Sequence, residues 1–130
     1  MKELEDKIRT YLTERKWDSL RPSDLAKSIS IEAGELLEIF QWENPSLVEV
    51  RQDEEKMALL KKELADVLIY CLDMSVLLEF DTEKIIRDKL AHAEKKYPAE
   101  LFQTRDENQD AGTENMYWKI KKEYRQKGDI

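Results

Sequence analysis

The sequence predicts an all-α protein, and three observations support that class. Charged residues make up 39% and apolar residues 41% of the 130 positions, a balance that suits amphipathic helices. The chain contains three Gly and three Pro, which favours long helices over a turn-rich β fold. Its length is sufficient to bury a hydrophobic core in one domain. We therefore expect a four-helix-bundle type of domain.

The bounds of the helices follow from hydrophobic spacing and from start and stop signals. The first helix carries apolar residues at helical spacing on one face. Pro22 introduces the second, with Ser23 or Asp24 as its cap, and the residue before Pro45 disfavours further helix. Asp81 or Thr82 can cap the fourth. The predicted helices span about residues 2–17, 23–42, 54–80 and 82–97, with a loop over 43–53.

The domain organisation changes after Phe102. Residues 1–102 are predicted to form the helical domain. The segment QTRDENQDAGTEN that follows is polar and reads as a linker. The stretch MYWKIKKEYRQK has helical potential and a basic character, so residues 103–130 are predicted to be a linker and a C-terminal tail.

Charge, cysteine content and hydropathy exclude several function classes. The formal charge of −7 argues against nucleic acid or an anionic membrane as a main partner, since both need a basic surface. Cys71 lies in an apolar run and is predicted to be a buried, reduced thiol. The N-terminus lacks an apolar signal core, and the longest apolar stretch, 67–78, is too short to span a bilayer. We expect a soluble, cytoplasmic protein.

Two pairs of acidic residues are out of place in apolar surroundings. In SIEAGELLEIFQW, Glu32 and Glu35 lie about 60° apart on an apolar flank of the second helix. In KELADVLIYCLDMS, Glu63 and Asp66 repeat the spacing, with Tyr70 one turn on. Buried carboxylates are costly unless something pairs them. Two such pairs facing each other would repel unless a cation lay between them, and oxygen ligands suit Mg²⁺ or Mn²⁺.

Two other interpretations of the acids remain to be tested. Each pair could be a solvated face, or could pair with lysines such as Lys61 and Lys62. A di-iron carboxylate bundle would need two Glu-x-x-His pairs. The only histidine, His92, does not follow a Glu at that spacing and is predicted to lie on the solvated surface. Glu38 is expected to face solvent.

The segments EAGELLEIFQW, KKELADVLIYCLDMS and KKYP resemble the all-α nucleoside triphosphate pyrophosphohydrolases, in particular the MazG-like and dCTP pyrophosphatase branch. The resemblance extends from about residue 13 to 98, with 27 residues between Glu35 and Glu63. It implies an enzyme that converts a nucleoside triphosphate to the monophosphate and pyrophosphate. The residues it implies as catalytic and Mg²⁺-binding are Glu32, Glu35, Glu63 and Asp66.

The resemblance also implies a substrate pocket. Trp17, Trp42 and Tyr70 match aromatic residues that line the base pocket, although each could instead be a core aromatic. Lys89 and Lys96 flank an apolar stripe of the fourth helix and are predicted to contact the phosphates.

The expected function is a Mg²⁺-dependent house-cleaning pyrophosphohydrolase, assembled as a homodimer or homotetramer. The substrate would be a deoxynucleotide such as dCTP, or a modified one. Relatives often carry an asparagine where this chain has Ala93, and WDSLRPSDL is shorter than the common pattern and lacks its histidine. Both differences concern substrate specificity. The alternative is a non-catalytic helical module that binds a nucleotide or a protein.

Overall fold

The computed structural model describes residues 1–103 and 110–128, and the side chains of 110–115 fall outside that description. Every element in these ranges is helical, which confirms the all-α class. None of the described helices is long and apolar enough to cross a membrane. The helices are α1 (Lys2–Glu14), α2 (Pro22–Glu38), α3 (Leu47–Gln52), α4 (Glu54–Leu77), α5 (Thr82–Lys96), a 3₁₀ turn (Ala99–Leu101) and α6 (Asp110–Gln126).

The prediction that Ser23 or Asp24 caps α2 was wrong, because both residues lie inside the helix. Pro22 is its first residue, and Arg21, in an extended conformation, precedes it as the cap without a side-chain hydrogen bond. Proline suits this position because its missing N–H would have no partner in the first turn. The helix ends at Glu38, so Trp42 lies beyond it.

The prediction of a loop over 43–53 was wrong, because these residues contain the short helix α3. The Ser46 hydroxyl accepts a hydrogen bond from the Glu49 amide at 3.2 Å. Asp53 then caps α4, and its carboxylate accepts a hydrogen bond from the Lys56 amide at 3.0 Å. Both are side-chain caps of the ordinary N-terminal kind. Two helices therefore follow each other with a single residue between them.

The chain divides into two compact units, Met1–Thr82 and Glu83–Ile130, and each is described by itself. In the first unit α1 and α2 pack on α4, and α3 contacts α4. Ile8 and Leu12 of α1 bury themselves against Val76. The Arg9 guanidinium also donates to the Val76 carbonyl at 3.1 Å. These contacts make α4 the central helix of the first unit.

The second unit is held together by aromatic side chains from α5, the segment after it and α6. Tyr97 stacks on Tyr117 with 5.0 Å between ring centroids. His92 meets the edge of Tyr124 at 6.1 Å and is half-buried, so the prediction of a solvated histidine was wrong. The helical potential of the tail is confirmed by α6, which begins at Asp110, inside the segment predicted as a linker. Residues 104–109 of that segment lie outside the described residues. A domain boundary at residue 102 and a four-helix arrangement stay predictions.

Part of the apolar surface predicted to be buried is exposed in the single chain. Cys71 is exposed, which corrects the prediction of a buried thiol. Leu37, an apolar residue of α2, is 69% exposed. Leu64, Leu68 and Ile69 of α4 are also exposed. The first unit thus buries one side of α4 and leaves another apolar side open.

Candidate metal and nucleotide site

The packing of α2 on α4 brings three of the four predicted acids together. Glu32 of α2 and Glu63 and Asp66 of α4 each offer one carboxylate oxygen, and these atoms all lie within 4.8 Å of one another. Glu63 is 8% exposed, and the other two are half-buried. The three-residue spacing within each helix holds its acids on one flank, and helix packing makes the two flanks meet.

Two oxygens of this cluster have unsatisfied hydrogen-bonding capacity. Oε2 of Glu32 and Oε2 of Glu63 are buried and accept no hydrogen bond from the described residues. A buried acceptor without a partner costs free energy, and more when it is charged. The cluster therefore holds a destabilising arrangement that a bound cation would relieve.

The electrostatics of Glu63 agree with that picture. Burial raises the pKa of its carboxyl group, and a hydrogen bond and the negative charge of Glu35 raise it further. Asp66 adds to the increase, while Lys62 opposes it. The Lys62 ammonium lies 3.8 Å from Oε1 of Glu63 and is largely solvated, so its stabilising effect is screened. Pairing with lysine thus leaves most of the negative charge uncompensated.

Glu35 occupies a different position from the other three acids. Its side chain is exposed and lies outside the group of converging oxygens, although it contacts Glu63 through the hydrogen bond. An open groove of about 520 Å³ runs alongside. The groove is lined by Glu35, Glu38, Ile39, Leu59, Lys62 and Glu63. Solvent and a ligand can therefore reach Glu35 directly.

The donor set fits a hard divalent cation. Among the described residues it offers only carboxylate oxygens and no sulfur or imidazole ligand, and two of its buried oxygens accept no hydrogen bond from them. Oxygen-only sites of this kind suit Mg²⁺ or Mn²⁺ rather than zinc or copper. Glu32, Glu63 and Asp66 would hold the ion directly.

The predicted aromatic residues occupy different environments. Trp17 follows α1, is partly exposed and meets Tyr11 edge-on at 5.9 Å. Trp42 is 88% exposed, which excludes a role as a core aromatic in the single chain. Tyr70 is half-buried on α4, one turn after Asp66. All three belong to the same unit as the acidic cluster.

The two predicted phosphate-binding lysines lie on α5, in the second unit. Lys89 is exposed. The Lys96 ammonium lies 5.5 Å from the ring centroid of Tyr97 and 5.1 Å from that of Tyr124. The roles of both lysines stay predictions.

Two further features of the first unit lie outside the predicted site residues. Asp73 is 4% exposed, and its Oδ1 accepts no hydrogen bond within the described residues; burial raises its pKa. Lys56 forms an ion pair with Glu43, and its ammonium lies 5.9 Å from the Phe40 ring. This pair ties α4 to the segment after α2, and no spacing rule relates residues in separate helices and loops.

Comparison with known proteins places this fold and acidic cluster in a family. A model of the MazG-like family matches residues 27–110, a range that includes both acidic pairs. dCTP pyrophosphatase 1 of Rattus norvegicus is 31% identical over 94 residues, covering 70% of this chain and 55% of the rat protein. The Homo sapiens protein of the same name is 30% identical over 93 residues, with the same coverage.

A solved structure is also similar. The crystal structure of a pyrophosphatase from Archaeoglobus fulgidus superimposes with a TM-score of 0.66 at 40% sequence identity, covering 75% of this chain and 92% of that one. The described part of the molecule is thus all-helical, with an acidic cluster suited to a divalent cation. It belongs to the MazG-like family, as the sequence motifs indicated. The chain spans about half the length of the curated relatives that it matches.

Proposed function

We propose that this protein is a Mg²⁺-dependent nucleoside triphosphate pyrophosphohydrolase, which releases a nucleoside monophosphate and pyrophosphate. The observation that carries the proposal is the convergence of three carboxylate oxygens within 4.8 Å. Two of these side chains also have a buried oxygen that accepts no hydrogen bond from the described residues. A solvated or lysine-paired face would not be arranged this way. The names of the relatives, dCTP pyrophosphatase and pyrophosphatase, agree with the reaction.

The acids divide into two roles. Glu32, Glu63 and Asp66 hold the cation, and Glu35 acts beside them. When bound, the ion would neutralise charge that develops on the phosphoryl group and lower the pKa of a coordinated water. Glu35 is the better placed of the two α2 acids to accept a proton from the attacking water, because it is exposed, lies on the groove and stands outside the converging oxygens.

The substrate we propose is a deoxynucleoside triphosphate such as dCTP, or a modified one, so that the enzyme would remove unwanted nucleotides from the pool. Trp17, Trp42 and Tyr70 would stack on the base, and the exposure of Trp42 leaves its ring available. Lys89 and Lys96 would contact the phosphates. The name of the relatives makes dCTP the first substrate to test.

A panel of ribo- and deoxynucleoside triphosphates, assayed for pyrophosphate release with Mg²⁺, with Mn²⁺ and with EDTA, tests the proposal. We expect release that requires the metal and is fastest for a deoxynucleotide. Binding without turnover under every condition would instead support the non-catalytic module. Release of single phosphates rather than pyrophosphate would contradict the reaction as written.

We also propose that the protein is a homodimer or homotetramer. Leu64, Leu68 and Ile69 are exposed apolar residues of α4, and Leu78, which directly follows the helix, is exposed as well. Burial between copies would remove this surface from water. Sedimentation should show more than one chain per particle at micromolar concentration, and a monomer there would contradict the assembly.

A further inference from the structure

Helix α6 has an inner face that packs within the second unit. Ile120 is buried, and Tyr117 and Tyr124 lie on the same side of the helix. Tyr117 stacks on Tyr97, and Tyr124 meets His92. The apolar side of α6 is therefore occupied by its own unit.

Another side of α6 carries an aromatic ring and cations. Trp118, Lys122 and Arg125 follow the i, i+4, i+7 spacing that places residues on one helical face. Trp118 is 51% exposed, and Lys122 and Arg125 are exposed. Lys119 and Lys121 flank this face, which we call the α6 outer face.

The charge of this segment is opposite to that of the chain. Residues 116–128 contain five cationic side chains and one acidic one, whereas the whole chain has a formal charge of −7. Within the described part of the molecule, none of these cations forms an ion pair. The cations are Lys119, Lys121, Lys122, Arg125 and Lys127, and the acid is Glu123. The net charge argues against general nucleic-acid binding, but it does not describe this local surface.

The contacts around Trp118 keep a cation beside an open ring. The Lys121 ammonium lies 4.9 Å from the centroid of Trp118 and 5.5 Å from that of Tyr117. A ligand on this face would meet an indole for stacking and ammonium and guanidinium groups for phosphate in the same place. An anion without rings would use only the cations, and a neutral aromatic compound only the indole.

We propose that the α6 outer face binds single-stranded nucleic acid. Unpaired bases present flat rings that stack on indole, and the phosphates between them meet the cations. The bases of a duplex are stacked on one another, so a duplex would contact the cations of this face but not the indole. An anionic membrane fits less well. The apolar residues of α6 that would enter lipid pack inside the second unit, and the outer face offers a single indole for insertion. The proposal does not depend on the hydrolase reaction, whose acids lie in the other unit.

Fluorescence anisotropy of a labelled oligothymidylate about 20 nucleotides long, titrated with the full chain at low salt, tests the proposal. We compare the parent with Lys122→Glu/Arg125→Glu and with Trp118→Ala. The matched control is Lys2→Glu/Lys7→Glu, which makes the same change of charge on the exposed part of α1. Circular dichroism melts check that each variant folds.

We expect the outer-face double variant to lose at least about tenfold in affinity, and Trp118→Ala about tenfold, because stacking on one base has that size. The control should change by less than about twofold. Parent affinity should fall with salt at a slope of about 0.7 per phosphate-bound cation. A uridylate of equal length should bind as well, since stacking does not read the sugar.

Several outcomes would overturn the proposal. One is no binding at low salt; another is an equal loss in the control variant, which would show that only overall charge matters. Equally tight binding of the matching duplex would remove the role of the indole. Displacement by thymidine monophosphate at equal phosphate concentration would indicate a mononucleotide site, and binding to phosphatidylserine vesicles but not to the oligonucleotide would indicate a membrane.

Discussion

Two buried carboxylates on α4 differ in what surrounds them. Glu63 is 8% exposed and Asp73 is 4% exposed, and burial raises the pKa of both. Glu63 is joined by Glu32 and Asp66 within 4.8 Å and contacts Glu35. Asp73 belongs to no such acidic group among the described residues, and burial alone accounts for its raised pKa.

The difference shows that burial alone does not define a metal site. An isolated buried carboxyl group can avoid its cost by keeping its proton. When several carboxyl groups converge, protonating one of them does not neutralise the others. A divalent cation can bind oxygens of all of them at once. A buried acid that converges with other acids is therefore a candidate functional residue, whereas an isolated buried acid only destabilises the fold.

The largest expected effect is a difference in enzymatic activity between variants of Glu63 and of Asp73. Glu63→Gln keeps the size of the side chain but removes an anionic ligand, so pyrophosphate release at limiting Mg²⁺ should fall at least about a hundredfold. Asp73→Asn makes the same chemical change on the same helix and should keep activity within about threefold. Steady-state assays of both proteins decide this. Equal losses would end the distinction, and wild-type turnover in Glu63→Gln would refute the metal site.

Thermal melts with EDTA and with millimolar Mg²⁺ sharpen the comparison. Without metal, Glu35→Gln should raise the melting temperature, because it removes a negative charge beside Glu63. Mg²⁺ should stabilise the parent by about 2.7 kcal/mol at a hundred times its Kd, and this gain should shrink in the variant. Asp73→Asn is the control and should keep the full gain. A Glu35→Gln protein that melts lower in EDTA and gains as much as the parent would contradict the site.

Trp42 lies outside both carboxylate environments and tests the proposed binding of the nucleobase. Trp42→Ala should raise KM by about tenfold with a smaller change in kcat, because stacking acts in both the ground and the transition state. Trp118→Ala is the matched tryptophan control and should leave KM for the triphosphate unchanged. Steady-state kinetics on the best substrate measures both. An unchanged KM in Trp42→Ala would remove this residue from the base pocket.

The smallest expected effect is the pH dependence from Asp73. Its folded pKa lies above the unfolded value, so the folded state keeps a proton that the unfolded state has lost as pH rises between the two values. Stability therefore falls over that window, and the penalty remains above the folded pKa. Asp73→Asn should melt a few degrees higher than the parent at neutral pH, and the difference should vanish at low pH, with EDTA present throughout. A variant that melts lower at neutral pH would indicate an ionised, paired Asp73.

The sequence by itself determined the class of structure and indicated the candidate acids of the site. Few Gly and Pro and the periodic apolar residues predicted helices, because propensity and amphipathicity act locally along the chain. The E-x-x-E and E-x-x-D spacings fixed both acids of each pair on one flank, and the motifs around them indicated the MazG-like family. Trp42 and Tyr70 were predicted to line the site because of their positions in those motifs, and their roles stay predictions.

Tertiary structure decided which of these side chains meet. Helical periodicity gives the angle of a residue on its own helix, but it does not say which angle faces another helix or how deep a side chain lies. Only the tertiary packing separated Glu35 from the three converging acids and left Oδ1 of Asp73 buried without a hydrogen bond from the described residues. Leu68 and Cys71 stay exposed, since α1, α2 and α3 cover only part of the circumference of α4.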